Sequence, residues 1–162
     1  YFGISEIIPT NSSIGTSSMP TDGMENTILV EDMFLSDMDY YANNQLRRND
    51  LVLFIDPRSG NQLLIKRVIA VEGDSISILN GKIFLNDQLL NEDNPNIIFE
   101  KGNYFDLEKI VIPSKHFFCI GDNRPGSLDS RMFGPVSVNS ARGKPLYIYF
   151  SNSINRIGTY LN

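Results

Sequence analysis

The chain has 162 residues, of which 20% are charged and 41% hydrophobic, and its formal net charge is -5. That length fits one domain, or one domain with a small appendage. The acidic balance speaks against a nucleic-acid-binding face, which needs clustered Lys and Arg, and no apolar run reaches the 18 or so residues of a membrane-spanning helix.

Residues 1–27 are rich in Ser, Thr, Asn, Gly and Pro and read as loop, apart from a short strand in "ISEII". "TILVEDMFLS" reads as strand, "DMDYYANNQLRRND" as a polar link, and "LVLFID" as a strand closed by "PRSGN". "LLIKRVIAVEGD" is a longer β run ending in a Gly-Asp turn. In "SISILNGKIFLNDQLL" two alternating arms flank Asn80-Gly81, the pair suited to a type I′ turn, and a second corner follows at Asn86-Asp87. Residues 91–109 are polar and irregular. Strands follow in "IVIP", "HFFCIGDN" and "LYIYFS", with a turn-rich segment, "RPGSLDSRMFGPVS", before the last and one helical turn in "SVNSARGK". Short strands between frequent turns predict an all-β fold of mainly antiparallel, twisted, packed sheets with little helix. The chain reads as one domain over residues 1–162, with a small cap or insertion around 75–115.

Three segments carry possible chemistry. "GTSSMPTDGMENT" presents serines in a loop, yet the one histidine, His116, sits in "SKHFFCIGDN", so a Ser-His-Asp set has no support. The lone Cys119 cannot form an internal disulfide and reads as a buried strand residue. In "LLIKRVIAV", Lys66 and Arg67 are adjacent, and successive strand residues point to opposite faces, so one cation must face inward. An inward lysine loses hydration, its pKa falls, and the neutral amine is a general base. "GDNRPGSLDSR" crowds turn formers with Asp122, Arg124, Asp129 and Arg131, which suits either a charged surface turn or a wall that holds something in place.

Together "NDLVLF", "IKRVIAVEGD", "GDNRPGSLDSR" and the serine loop resemble type I signal peptidase, the membrane-anchored Ser-Lys endopeptidase family that removes signal peptides. The boxes occur in the family's order between about residues 14 and 136, and "GKPLYIYFS" resembles its last core strand. The resemblance implies Lys66 as general base and Ser127 as the serine that orients it. It implies Asp129 and Arg131 as an ion pair behind the site, with Asp122 and Arg124 as supporting polar residues. Ile65, Val68 and Phe133 are candidates for the dry wall around the lysine.

The nucleophile is open among three registers. The family pattern is Ser-Met-x-Pro-Thr. Ser18 precedes Met19 directly, and Thr16, two residues earlier, supplies the hydroxyl that the family uses as an oxyanion donor. Ser17 keeps the Ser-x-x-Pro-Thr spacing, but Gly15 stands two residues before it. Reading "GMENTILVED" as the family's "SMENTLLVGD" instead puts Gly23 where the serine belongs. Ser18 is the first choice, with Ser17 as alternative nucleophile. The resemblance further implies an acyl-enzyme mechanism without metal or cofactor, and signal peptides of secretory preproteins bound as an extended strand. It implies a cell-membrane location with the domain on the outer side, an N-terminal anchor ahead of Tyr1, and no nucleic-acid partner. Two rivals remain: a signal-peptidase-like binding protein without catalysis, which the Gly23 register favours, and a LexA-like self-cleaving Ser-Lys protein, for which no DNA-binding module or small-residue cleavage loop is visible.

Overall fold

A computed structural model describes residues 13–99 and 105–161. The strand expected in "ISEII" lies outside them. The architecture is β throughout, with every strand pair antiparallel. The larger sheet is built from β1 (Ile14–Ser18), β2 (Met33–Asp37), β3 (Leu51–Ile55), β4 (Leu63–Val71), β9 (His116–Ile120), β10 (Val136–Ser137) and β11 (Ala141–Phe150). Its order is β1-β2-β11-β3-β4-β9-β10. The smaller sheet holds β5 (Ser75–Leu79), β6 (Lys82–Leu85), β7 (Gln88–Leu89) and β8 (Leu107–Val111), in the order β7-β6-β5-β8. Two one-turn helices, α1 (Tyr40–Asn43) and α2 (Ser130–Phe133), complete it.

The hairpin expected at Asn80-Gly81 is present, with positive φ at both residues (50° and 73°), and Asn86-Asp87 repeats the device at 53° and 65°. The small sheet docks through Ile76, Ile78 and Ile83 onto Ile69, Phe118 and Ile120 of the large one, so a single apolar layer joins them.

Several expectations need correction. Residues 1–27 are not loop throughout: β1 pairs with β2 in register from Ile14–Asp37 to Ser18–Met33. "TILVEDMFLS" becomes strand only at Met33, because Thr27 and Ile28 both donate to the Met24 carbonyl and Glu31 takes a φ of 70°. The polar link contains α1. The turn-rich segment contains α2, whose start is capped by the Asp129 carboxylate accepting the Arg131 N–H and whose end is Gly134 at φ 79°. The helical turn in "SVNSARGK" is a 3₁₀ turn at Val138–Ser140.

Lys66 and Arg67 also depart from the one-in, one-out expectation: both are 4% exposed. The reason is that β4 is covered on both faces. Alternation puts Val52, Phe54, Lys66 and Val68 on one face, and Leu51, Leu53, Ile65 and Arg67 on the other. Arg67 is compensated by Asp122, a fully buried carboxylate that accepts from Nε at 2.9 Å and Nη2 at 2.8 Å. Thr27 Oγ1 donates to the same carboxylate at 2.5 Å, tying the "GMENT" segment to β4. Removing Asp122 takes away the carboxylate that balances the buried guanidinium, which keeps its bond to the Asn49 carbonyl at 2.9 Å. Asp122→Ala is therefore expected to cost about 3–5 kcal/mol, read as a fall in denaturant midpoint; a loss within 1 kcal/mol or so would show that Arg67 finds water or another partner.

Candidate active site

Among the described residues, two stretches of strand edge in the large sheet stand open beside Lys66. β1 lies at one end of the sheet and pairs with β2. The β4–β9 register begins at Arg67–Ile120, so Leu63–Lys66 has β3 on one side and no described strand on the other. Between these edges lies a cavity of about 350 Å³ lined by Thr16, Ser17, Ser18, Leu63, Ile65 and Lys66 among others. Unpaired backbone on both sides is the geometry that receives an extended peptide by strand addition.

Lys66 stands at this groove. Burial lowers its pKa, an effect that Asp129 and Cys119 oppose and Arg131 reinforces. No hydrogen bond or ion pair holds its amine among the described residues. Val68 and Phe133 belong to the apolar cluster on the lysine's face of the sheet, whereas Ile65 packs in the cluster on the other face. Cys119 is fully buried beside Ser130, and burial pushes its thiol up to about 12, so it offers no nucleophile. His116 is bonded to the Ser114 carbonyl through Nδ1, on the far strand β9.

The residue set against the lysine is Gly23. A Cβ built on Gly23 would stand 2.7 Å from Lys66 Nζ and 3.7 Å from Ser127 Oγ. Gly23 is buried, whereas Ser18 is exposed on β1 opposite Met33. Ser17 and Ser18 line the same groove as Lys66, but neither hydrogen-bonds it. Thr16, also on β1, pairs with Leu35.

The "GDNRPGSLDSR" segment is what grips this loop. Asn123 N–H donates to the Gly23 carbonyl at 3.3 Å, Asn123 Nδ2 donates to the Asp22 carbonyl at 3.1 Å, and Asp122 N–H lies 3.4 Å from Met24 Sδ. Gly121 has no room for a side chain, since its Cβ would fall 2.2 Å from Ser127 Oγ and 2.3 Å from the Gly23 oxygen. Ser127 Oγ is buried without a hydrogen-bond partner, so its bond to Lys66 is not formed here even though both groups converge on Gly23. Asp129 and Arg131 form a two-pronged ion pair at 2.9 Å, and Asp129 also accepts the Gly121 N–H at 3.0 Å. Arg124 pairs with Glu92 rather than with a neighbour in its own turn.

One residue is absent from the sequence-based set of candidates. Counting two back from Gly23 reaches Thr21, which stands to Gly23 in the chain as Thr16 stands to Ser18. Its signal is the Thr of "PTDGM".

A buried lysine whose pKa is lowered by burial, lining an open groove on packed antiparallel sheets, is the arrangement of a peptidase-type β domain. Residues 3–150 match the family described as signal peptidase, peptidase S26, and the chain belongs to that family. The thylakoidal processing peptidase 1, chloroplastic, of Arabidopsis thaliana is 30% identical over 146 residues, covering 84% of this chain and 42% of that protein. Signal peptidase I of Leptolyngbya laminosa is 30% identical over 148 residues, covering 86% and 70%. The crystal structure of a signal peptidase I from Enterococcus faecalis V583 superposes with a TM-score of 0.53 at 29% identity, over 62% of this chain and 97% of that one. The chain spans less than half the length of the two Arabidopsis thylakoidal peptidases, 42% and 38%.

The lysine's environment fixes a pH dependence. Its folded-state pKa lies below the free value, so between the two the unfolded chain holds a proton that the folded chain does not. Stability should therefore rise with pH across that window. Lys66→Met should remove this rise, which denaturant midpoints measured up to about pH 10 would test. An unchanged slope would show that the amine is solvated.

Proposed function

We propose that this chain is a signal-peptidase-type domain that receives the signal peptides of exported preproteins as an extended strand and presents the scissile carbonyl to Lys66. The observation that carries this reading is the lysine amine, buried at the groove and 2.7 Å from a Cβ built on Gly23. The family's chemistry at such a place is that of a serine endopeptidase. Neutral Lys66 takes the proton of a hydroxyl, and its oxygen attacks the carbonyl. The oxyanion is stabilised by the N–H of the attacking residue and a hydroxyl two residues earlier. The ammonium then returns the proton to the leaving amine, and water, activated by Lys66, releases the acyl group. Behind the lysine, Asp129 and Arg131 fix the turn that carries Ser127.

Two readings part at the hydroxyl. In the first, Ser18, or else Ser17, leaves its place on β1 to reach Lys66, and the domain cleaves. In the second, favoured by Gly23 being the residue against the amine, the domain binds signal peptides without forming an acyl-enzyme. In both, it works at the outer face of the cell membrane, held by an anchor ahead of Tyr1. No helix of the described residues is itself long and apolar enough to cross a membrane.

The test is a fluorogenic peptide with small residues at the cleavage site, offered to the parent, Ser17→Ala and Ser18→Ala. Cleavage by the parent that vanishes in Ser18→Ala assigns the nucleophile to Ser18, and likewise for Ser17. Binding without cleavage in all three supports the second reading. Absence of binding removes both.

A further inference from the structure

A second concavity lies on the Ser127 side of Gly23. It measures about 360 Å³ and lies between the small sheet and the "GDNRPGSLDSR" segment, with Ile78, Ile83, Phe99, Pro125, Ser127 and Met132 in its wall. Ser127 lines this cavity and Lys66 lines the groove, and both approach the same point, at 3.7 and 2.7 Å from the Cβ built on Gly23. The two depressions are therefore the two sides of one seat, not separate sites.

We propose that this cavity holds the residues immediately after the scissile bond, the first few of the mature protein, and selects an apolar or aromatic side chain among them. The inference rests on the signal-peptide reading above. A peptide whose carbonyl sits at Gly23, with its preceding residues between β1 and β4, must leave on the Ser127 side. At roughly 3.3 Å per extended residue, two or three residues bring it into the cavity. The wall determines the chemistry. Phe99 and Met132 are 55% and 62% exposed, so their apolar surface faces water, with the Arg124 guanidinium over the Phe99 ring at 5.7 Å. The two cations at the wall, Arg124 and Arg131, are already neutralised by Glu92 and Asp129, so they offer little to an acidic side chain. What the wall keeps are two buried polar atoms without a hydrogen-bond partner, Arg124 Nε and Ser127 Oγ, the complement of a peptide carbonyl rather than of a second carboxylate. The cavity volume fits one or two side chains of that class.

The experiment compares fluorescein-labelled peptides by anisotropy, with the scissile amide N-methylated so that binding is read without cleavage. One peptide ends at the small residue before that bond, as an amide. A second continues with Leu-Phe-Ser, and a third with Asp-Asp-Ser. The Leu-Phe-Ser extension should tighten binding at least about tenfold, and Asp-Asp-Ser should not. In Phe99→Ser with Met132→Glu, both at exposed positions, the gain should vanish while the short peptide binds as before. A short peptide that binds with no gain from the apolar extension, or a gain that survives the double substitution, overturns the subsite and leaves the signal-peptide reading standing. Failure of every peptide to bind overturns both.

Discussion

Gly23→Ser is expected to raise peptide hydrolysis by roughly a thousandfold or more, since removing the nucleophile of an activated-serine enzyme costs on the order of 10⁴–10⁶ in rate. The new Cβ would begin 2.7 Å from Lys66 Nζ, closer than contact allows, but the obstacle is the tip of a flexible side chain. A shift of a few tenths of an ångström in the amine would leave the new hydroxyl within hydrogen-bond reach of it. Thr21 stands two residues before, and its hydroxyl would complete the oxyanion site. Thr21→Val in the Gly23→Ser background should therefore lose roughly a hundred- to a thousandfold. The variant should also be acylated by a serine-reactive penem, with mass spectrometry locating the adduct on residue 23. If the parent already cleaves at the variant's rate and its adduct maps to Ser17 or Ser18, the assignment of the seat to residue 23 is wrong.

Lys66→Ala should return the Gly23→Ser protein to background, a fall of the same order, because among the described residues Lys66 is the base that faces the seat. Lys66→Arg should fail as completely, as a guanidinium stays protonated at any working pH and cannot accept the proton. The ascending limb of kcat/KM against pH in Gly23→Ser should lie below the ordinary lysine value of about 10.4, as burial lowers the pKa of this amine. The fold should survive: Lys66→Met exchanges a poorly hydrated amine for an apolar side chain of similar length, so its denaturant midpoint at neutral pH should match or exceed that of the parent. Loss of cleavage with the midpoint held separates a role in chemistry from one in packing. Residual cleavage within about tenfold in Lys66→Ala would mean that another group serves as base.

Much of this was written in local pattern. The Asn80-Gly81 corner needs only its own two positive φ angles, and the alternating arms around it need only the strand period, so this hairpin is visible before any packing is known. The adjacency of Lys66 and Arg67 inside an apolar run announced a buried cation. It could not announce two, because alternation assigns opposite faces without saying whether both are covered; that depended on the layers packed on either side of β4 and on Asp122, 55 residues further along the chain. The boxes likewise pointed to a family and to a lysine base, but the serine loop admitted three registers that differ only in where an exposed strand ends and a turn begins. Local signals do not resolve such a choice, since Ser, Thr, Asp and Gly are all at home in either. What contacts from a distant segment set is the placement of the loop: Asn123 holds the Asp22 and Gly23 carbonyls, Asp122 holds Thr27, and β1 runs on as a strand to Ser18 because β2 pairs with it. Sequence alone determined that one cation of the Lys66-Arg67 pair is buried in a β run; only the tertiary structure decided that the residue facing the Lys66 amine is Gly23, because that position is set by hydrogen bonds made across the fold and not by the residues next to it in the chain.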